Sequence, residues 1–379
     1  MIYVTQFESD LTKSFSQTAF HNIKSLQEKS LNFELRPLSK VLNWDEAPSW
    51  MSSSKTYFST TKSSNDCALV HLLAGDLPKS IYKSAQRAIA VTAIETSLIP
   101  QWLAESINEN YKGVIVPSEF SKTSMERSGV SVPIYSVPHA LHPMWLTSFS
   151  PPPQKDENVY VFGYVGNWNA RKNPKAVLDA YLSAFPQDTG ETALFIKTYN
   201  AGDIMRYVHT TYGEDRSDIW IYDEMWSETQ MLWAFSMIDC FVSAHKGEGF
   251  GLALAQAAAL GKPVIYTDYS APCEWLSSAK GHYPIKCEQI KVAKADVTPN
   301  YSHMLDDKLE WAEIDTEHLK QTMQSLFESK IKEGFSTEDL VAFRHHVSWS
   351  HVGEKLVTAI ESIMGKPLER KQEVLNAEG

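Results

Sequence analysis

CFVSAHKGEGFGLALAQAAALGKPVIYTD, residues 240–268, reads as strand, glycine-bearing loop, helix and strand in that order. CFVSA and PVIYT are short runs rich in β-branched and aromatic residues, the composition of buried strands. Between them LALAQAAAL has the alanine and leucine content of a helix, and Gly261 stands where a helix C-terminal cap is expected. Strand, helix and strand in succession imply a parallel pair joined by a crossover. In the loop, Gly249 and Gly251 let the backbone come close to a ligand. The free N–H groups at the start of the helix, near Leu252, favour anionic oxygens. Glu248 stands directly before them. A carboxylate suits a phosphate site poorly unless a polyol attached to the phosphate must also be oriented, in which case Glu248 accepts hydrogen bonds from its hydroxyls. The alternative places Glu248 in the first helical turn, where it complements the dipole.

The same alternation extends outward in both directions. Upstream, VYVFGYVG, NPKAVLDAYLSAF, TALFIKT, a helix from Asp203, DIWIYD and SETQMLWAFSMI lead into residue 240. In the stretch 160–185 a strand ends at Gly166, a polar loop beginning at Asn167 carries Arg171 and Lys172, and Pro174 suits a first helical turn. Two cations at the end of that strand are placed to neutralise a diphosphate, or form a solvated pair before a helix. Earlier still, IYVTQ, SFSQTAFHNIKSLQEKS, LNFELRPL, CALVHLLAG, AIAVTAI, KGVIVPS and PIYSVPHAL repeat the pattern. HPMWLTSFSPPPQKDEN breaks the periodicity at Pro151–Pro153, so a domain boundary is expected there. The expectation is an α/β chain of two Rossmann-like, doubly wound domains facing across a cleft: 1–146, and 155–346.

Composition narrows the classes. A chain of 379 residues, 43% hydrophobic and 21% charged, has length for two cores. No apolar run approaches a membrane span and the N-terminus lacks the layout of a signal peptide, so a cytoplasmic, soluble protein is expected. The net charge of −11 arises beyond residue 150, the first 150 residues being neutral, which argues against strong nonspecific nucleic-acid binding by the whole chain. The four cysteines show no metal-binding spacing and read as buried thiols.

Together, GNWNARKN and EGFGLALAQAAALGKPVI resemble the donor domain of retaining GT-B glycosyltransferases of family 4, the group 1 glycosyl transferases. VIVPSEFSKTSMERSGVSVPIYSVPHALHP is similar to that family's link out of the acceptor domain. FRHHVSWSHVGEKLVTAI is similar to the closing helix, about 347–366, which in GT-B proteins returns to the first domain. The resemblance implies a nucleotide diphosphate sugar, a UDP-sugar foremost, as co-substrate, with no bound cofactor and no metal. It implies that Lys172 with Arg171 binds the diphosphate and that Glu248 holds hydroxyls of a hexose or similar sugar. The backbone from Gly249 through Phe250 and Gly251 to Leu252 then faces sugar and phosphates. The family's second signature glutamate falls on Gln256, whose amide hydrogen-bonds a ribose without charge assistance. The glycine-rich loop usual after the first strand is replaced by QFESDLTKSF, and a histidine usual after the fourth strand by Glu95 and Thr96.

Glu95 either orients an acceptor hydroxyl or caps the following helix. His71 lines the cleft or is packed and hydrogen-bonded, and Lys197 is a further candidate for the phosphates. Trp226 is a core residue or a platform for the nucleotide base. Lys79, Lys83 and Arg87 are spaced to share a helix face, solvated or turned to an acidic acceptor or a membrane surface. The acceptor is an unidentified hydroxyl, on a glycan, a small molecule or DNA. A bacteriophage-type enzyme glycosylating hydroxymethylated bases, a sugar-nucleotide epimerase and a catalytically silent nucleotide-sugar binder are the alternatives. The resemblance implies retention of configuration without metal, the leaving phosphate itself helping to deprotonate the acceptor.

Overall fold

Every apolar run read above as a strand is one, and the strands collect into two six-stranded sheets in the computed structural model of the chain. The structure describes residues 1–5, 14–31, 33–37, 67–147, 156–198, 202–212, 216–276, 281–297 and 299–370. The Pro151–Pro153 stretch, residues 6–13 and the tail from 371 lie outside the described residues.

The first sheet is built from β1 (Ile2–Thr5), β2 (Glu34–Pro37), β3 (Ala68–His71), β4 (Ser84–Val91), β5 (Tyr111–Val116) and β6 (Ile134–Ser136). The order is β2-β1-β3-β4-β5-β6, all parallel. Its helices are α1 (Ser14–Glu28), α2 (Gln101–Asn110) and α3 (Glu119–Arg127). α1 buries Phe20, Ile23 and Leu26 on one face, and α2 buries Leu103, Ala104 and Ile107 on the other. Lys79, Lys83 and Arg87 do not share a helix face. A 3-10 turn ends at Lys79 and Arg87 lies on β4, so the expected helix is extended chain instead. Pro78, inside that turn, lacks the N–H that a continuing helix needs.

The second sheet takes β7 (Tyr160–Val165), β8 (Thr192–Lys197), β9 (Ile219–Tyr222), β10 (Cys240–Ser243), β11 (Val264–Thr267) and β12 (His282–Ile285) in the order β12-β11-β10-β7-β8-β9. These pairs are also parallel. Helices α4 (Pro174–Ala184), α5 (Gly202–Tyr212), α6 (Glu228–Met237) and α7 (Leu252–Ala259) make the crossovers. A short turn, α8 (Cys273–Leu276), precedes β12, and β13 (Cys287–Lys291) pairs antiparallel with β14 (Glu310–Ile314) beside the sheet.

The chain ends on α9 (Thr316–Glu328), α10 (Thr337–His346) and α11 (Trp349–Met364). The stretch read as one helical run is thus two helices, because Ser348 accepts a hydrogen bond from the His351 N–H and starts α11 afresh. α11 does not pack on the second sheet. Its Val352, Leu356, Ile360 and Ile363 join Phe20 and Ile23 of α1 in the core of the first. The close approach requires Gly353: a Cβ there would lie 2.3 Å from the Ser25 carbonyl oxygen.

Candidate active site

In the second sheet the strand order reverses between β7 and β10, since β8 and β9 lie to one side and β11 and β12 to the other. Loops leaving the carboxyl ends of two such neighbours diverge, and ligands of open α/β sheets bind in the crevice between them. The loop after β7 carries Arg171 and Lys172, and the loop after β10 carries Glu248.

The structure stitches those two loops together. The Lys246 N–H donates to the Arg171 carbonyl at 2.7 Å, and Arg171 Nη1 donates to the Gly247 carbonyl at 2.8 Å. Lys172 Nζ donates to Glu248 Oε1 at 2.5 Å, with Arg171 Nη1 at 3.3 Å from the same oxygen. Local devices hold each loop. Asn169 accepts from the Lys172 N–H at 2.9 Å, and Asn173 takes a left-handed φ of 50° just before Pro174 opens α4. A Cβ at Gly166 would sit 2.7 Å from the Tyr164 hydroxyl, which itself donates to the Asn167 carbonyl at 3.1 Å. The Glu248 N–H donates to Ser270 Oγ at 3.0 Å. α7 opens only at Leu252, so Glu248 is upstream of the helix and its carboxylate serves the cations rather than the helix dipole.

The Glu248 side chain is only 5% exposed. Burial by itself pushes a carboxyl up, but Lys172 and Arg171 overcome it and hold the Glu248 carboxyl down at about 2. It is therefore ionised at neutral pH, a fixed anion held between two cations. Beneath it His245 is fully buried between Ser243 Oγ, at 3.0 Å, and the Tyr269 carbonyl, at 3.3 Å. Burial lowers that histidine to about 4, so it stays neutral.

The first domain meets this cluster through the loop after β4. Glu95 Oε1 lies 3.0 Å from Arg171 Nη2. A Cβ on Gly247 would come within 2.0 Å of the Glu95 carbonyl oxygen, and one on Gly249 within 2.9 Å of Ala93 Cβ. The close approach that these two glycines permit is to the opposite domain's backbone. Glu95 does not act as the helix cap: α2 begins after Pro100 with no side-chain cap bond.

The other residues singled out from the sequence lie around this core. Gly251 caps α7 with φ 89°, Leu252 is half-buried and Gln256 is buried one turn further on. Phe250 is buried against Trp275 and, across the cleft, His139 at 5.3 Å between ring centres. Lys197 is buried, donates to the Thr198 carbonyl at 3.2 Å, and lies 5.5 Å from the Trp226 ring. Trp226 packs among Phe195, Tyr222 and Trp233. His71 is buried, shares a hydrogen bond with the Tyr3 hydroxyl at 2.7 Å and packs on Phe15. Sequence reasoning missed Gly247, Ser270 and His245, which build the seat of Glu248. Gly247 had a signal, as the first glycine of the same run; Ser270 had none.

Comparison with known proteins now has a geometry to meet. Residues 221–320 match the family model described as glycosyl transferases group 1. That span holds Glu248 and Gln256, while Arg171 and Lys172 lie before it. No curated protein matches the chain. Among solved structures the chain is similar to HepE of Anabaena in complex with UDP and glucose, at 11% identity and TM-score 0.65, covering 96% of this chain and 100% of that one. It is similar to a glycosyltransferase from Rickettsia africae at 12% identity and TM-score 0.63, covering 96% and 98%. TarM of S. aureus aligns at 14% identity and TM-score 0.50, covering 79% of this chain, which spans 54% of that longer protein. Two parallel six-stranded sheets with these neighbours give the chain the GT-B fold of glycosyltransferases, and within its second sheet lies the segment similar to glycosyl transferases group 1.

Proposed function

We propose that the chain transfers a hexose or similar sugar from a nucleotide diphosphate donor to a hydroxyl acceptor, with retention of configuration and without a metal. The observation that carries this reading is the cluster at the strand-order reversal, where Lys172 and Arg171 converge on a buried, ionised Glu248. Two cations beside helix α7 match a diphosphate, and a carboxylate among them matches sugar hydroxyls that must be oriented without neutralising the phosphate charge. Gly166, Asn167, Lys197, the Gly249–Leu252 backbone and Gln256 complete the donor side in this reading, and Glu95 and His71 belong to the acceptor side. The donor domain is 155–346, and the acceptor domain is 1–146 with the returning helix at about 347–366.

In the reaction, the bond between the sugar C1 and the phosphate oxygen breaks with its electron pair going to the phosphate. The acceptor oxygen bonds C1 on the same face, and its proton passes to the leaving phosphate. Lys172 and Arg171 stabilise the charge that develops, so no metal is required to do so. Four free thiols fit a reducing cytoplasm. UDP-sugars are the first donors to try, because HepE and TarM structures contain UDP.

The test is thermal stabilisation and donor turnover with a panel of nucleotide sugars, with and without EDTA. A UDP-sugar is expected to raise Tm and to be consumed in both conditions. No response to any nucleotide sugar or nucleotide would refute the donor site, and loss of turnover with EDTA would refute metal independence.

A further inference from the structure

Resting on that reading of the donor pocket, we propose that Glu95 and the donor diphosphate compete for the same guanidinium. Glu95 holds Arg171 from the acceptor side, the diphosphate displaces it, and the released carboxylate becomes available to the acceptor. Donor binding thereby comes first.

Among the described residues, Arg171 meets the Gly247 carbonyl at 2.8 Å, Glu95 at 3.0 Å and Glu248 at 3.3 Å. Of these only Glu95 can leave at little cost. The Gly247 carbonyl is part of the loop. Glu248 is 5% exposed and bound also to Lys172, so moving it would strand a buried charge. The Glu95 side chain is 42% exposed, and an ion pair with that much access to solvent is weak. Its backbone is meanwhile fixed. The Ile94 N–H donates to Ser121 Oγ at 3.2 Å, the same hydroxyl donates back to the Ile94 carbonyl at 3.0 Å, and the Glu95 carbonyl packs on Gly247. Displacement therefore amounts to a side-chain rotation beside a stationary loop.

A phosphate meets a guanidinium with the same two-pronged geometry as a carboxylate and with more charge, so it wins the exchange. Once displaced, Glu95 faces the phosphates and Glu248 without its cation. A hydroxyl donor is the partner it then lacks, and the acceptor brings one to this side of the cleft.

The experiment measures pyrophosphate and UDP binding by calorimetry on the full chain, for wild type, Glu95→Gln, Glu95→Asp, Arg171→Ala and the double variant Glu95→Gln with Arg171→Ala. Both Glu95 variants are expected to bind pyrophosphate roughly two- to fivefold tighter, the fold-change matching a weak exposed pair. In the Arg171→Ala background the Glu95→Gln change should have no effect. Damage to folding weakens binding, so the expected sign cannot come from it, and the aspartate keeps the charge while shortening the reach. Wild type binding both probes with Glu95→Gln no tighter would overturn this inference and leave the donor site standing. Tightening that persists without Arg171 would also overturn it, since the effect would then be the general field of the cleft. Binding of neither probe by wild type would take down both this inference and the donor site.

Discussion

At the scale of single residues, Lys172 and Glu248 have separable jobs. Lys172→Ala should lower turnover roughly a hundredfold or more by removing part of the leaving-group clamp. It also deprives Glu248 of its nearer cation, so Tm should fall as well. Adding Glu248→Gln to Lys172→Ala should restore Tm without restoring turnover, and recovery of both would mean the pair is only structural. Gln256→Glu should lower the donor KM if that side chain meets a ribose diol. An unchanged KM would remove Gln256 from the donor site. The buried histidines set the response to acid. His21 and His71 are lowered to about 3, and His139, His142 and His245 to about 4, in each case chiefly by burial. A group whose folded pKa is depressed lends stability that is full above its unfolded pKa, about 6.5 for histidine, and is lost as pH falls toward the folded value. Tm should therefore drop steadily from pH 6.5 to pH 4, and His71→Asn should flatten that slope. Glu248 follows the same sign in a lower window, losing its contribution only as pH falls from the ordinary carboxylate range toward about 2. Arg171, Lys172 and Glu248 were legible from the sequence because each stands in the loop that follows an apolar run. Their mutual contact was not, because it depends on β7 and β10 being neighbours though some 70 residues separate their loops.

At the scale of elements, strands that are buried on both faces announced themselves as continuous apolar runs. The β13–β14 ribbon did not. CEQIK is exposed or half-exposed, EWAEI buries Trp311, Ala312 and Ile314 but interrupts them with Glu310 and Glu313, and their pairing bridges a long connection, so neither period nor turn chemistry marked them. Lys79, Lys83 and Arg87 misled in the opposite way: they have helical spacing, but Lys79 ends a 3-10 turn and Arg87 lies on the exposed first half of β4. Helix α11 offers a quantitative check. Gly353→Ala would gain helix propensity of about 1 kcal/mol but drive a methyl against the Ser25 carbonyl, where a Cβ would lie 2.3 Å away. Overpacking against backbone of this kind costs about 1–3 kcal/mol, so urea unfolding should show net destabilisation. A stabilised variant would mean that α1 and α11 can separate freely.

At the scale of the whole molecule, the two sheets are joined by more than the Glu95–Arg171 pair. The Glu274 carboxylate on α8 accepts from the Glu119 and Phe120 N–H groups at 3.0 and 2.6 Å, capping α3 of the opposite domain. Ser97 exchanges two hydrogen bonds with Glu310 at the start of β14. Glu274→Ala removes a charged cap, a change worth about 0.5–2 kcal/mol. Small-angle scattering should then show a larger radius of gyration, and unchanged scattering would mean that the remaining contacts, Glu95–Arg171 and Ser97–Glu310 among them, hold the arrangement without this cap. The return of α11 has a further consequence, for the order in which the chain can fold as it is made. The second sheet is complete in sequence before α11 emerges, whereas one face of the first sheet waits for Val352 through Ile363. Until those residues leave the ribosome, the cluster around Phe20 and Ile23 lacks the part of its cover that α11 supplies. The half that is synthesised first therefore matures last, and during that interval it is the half that chaperones and proteases would meet.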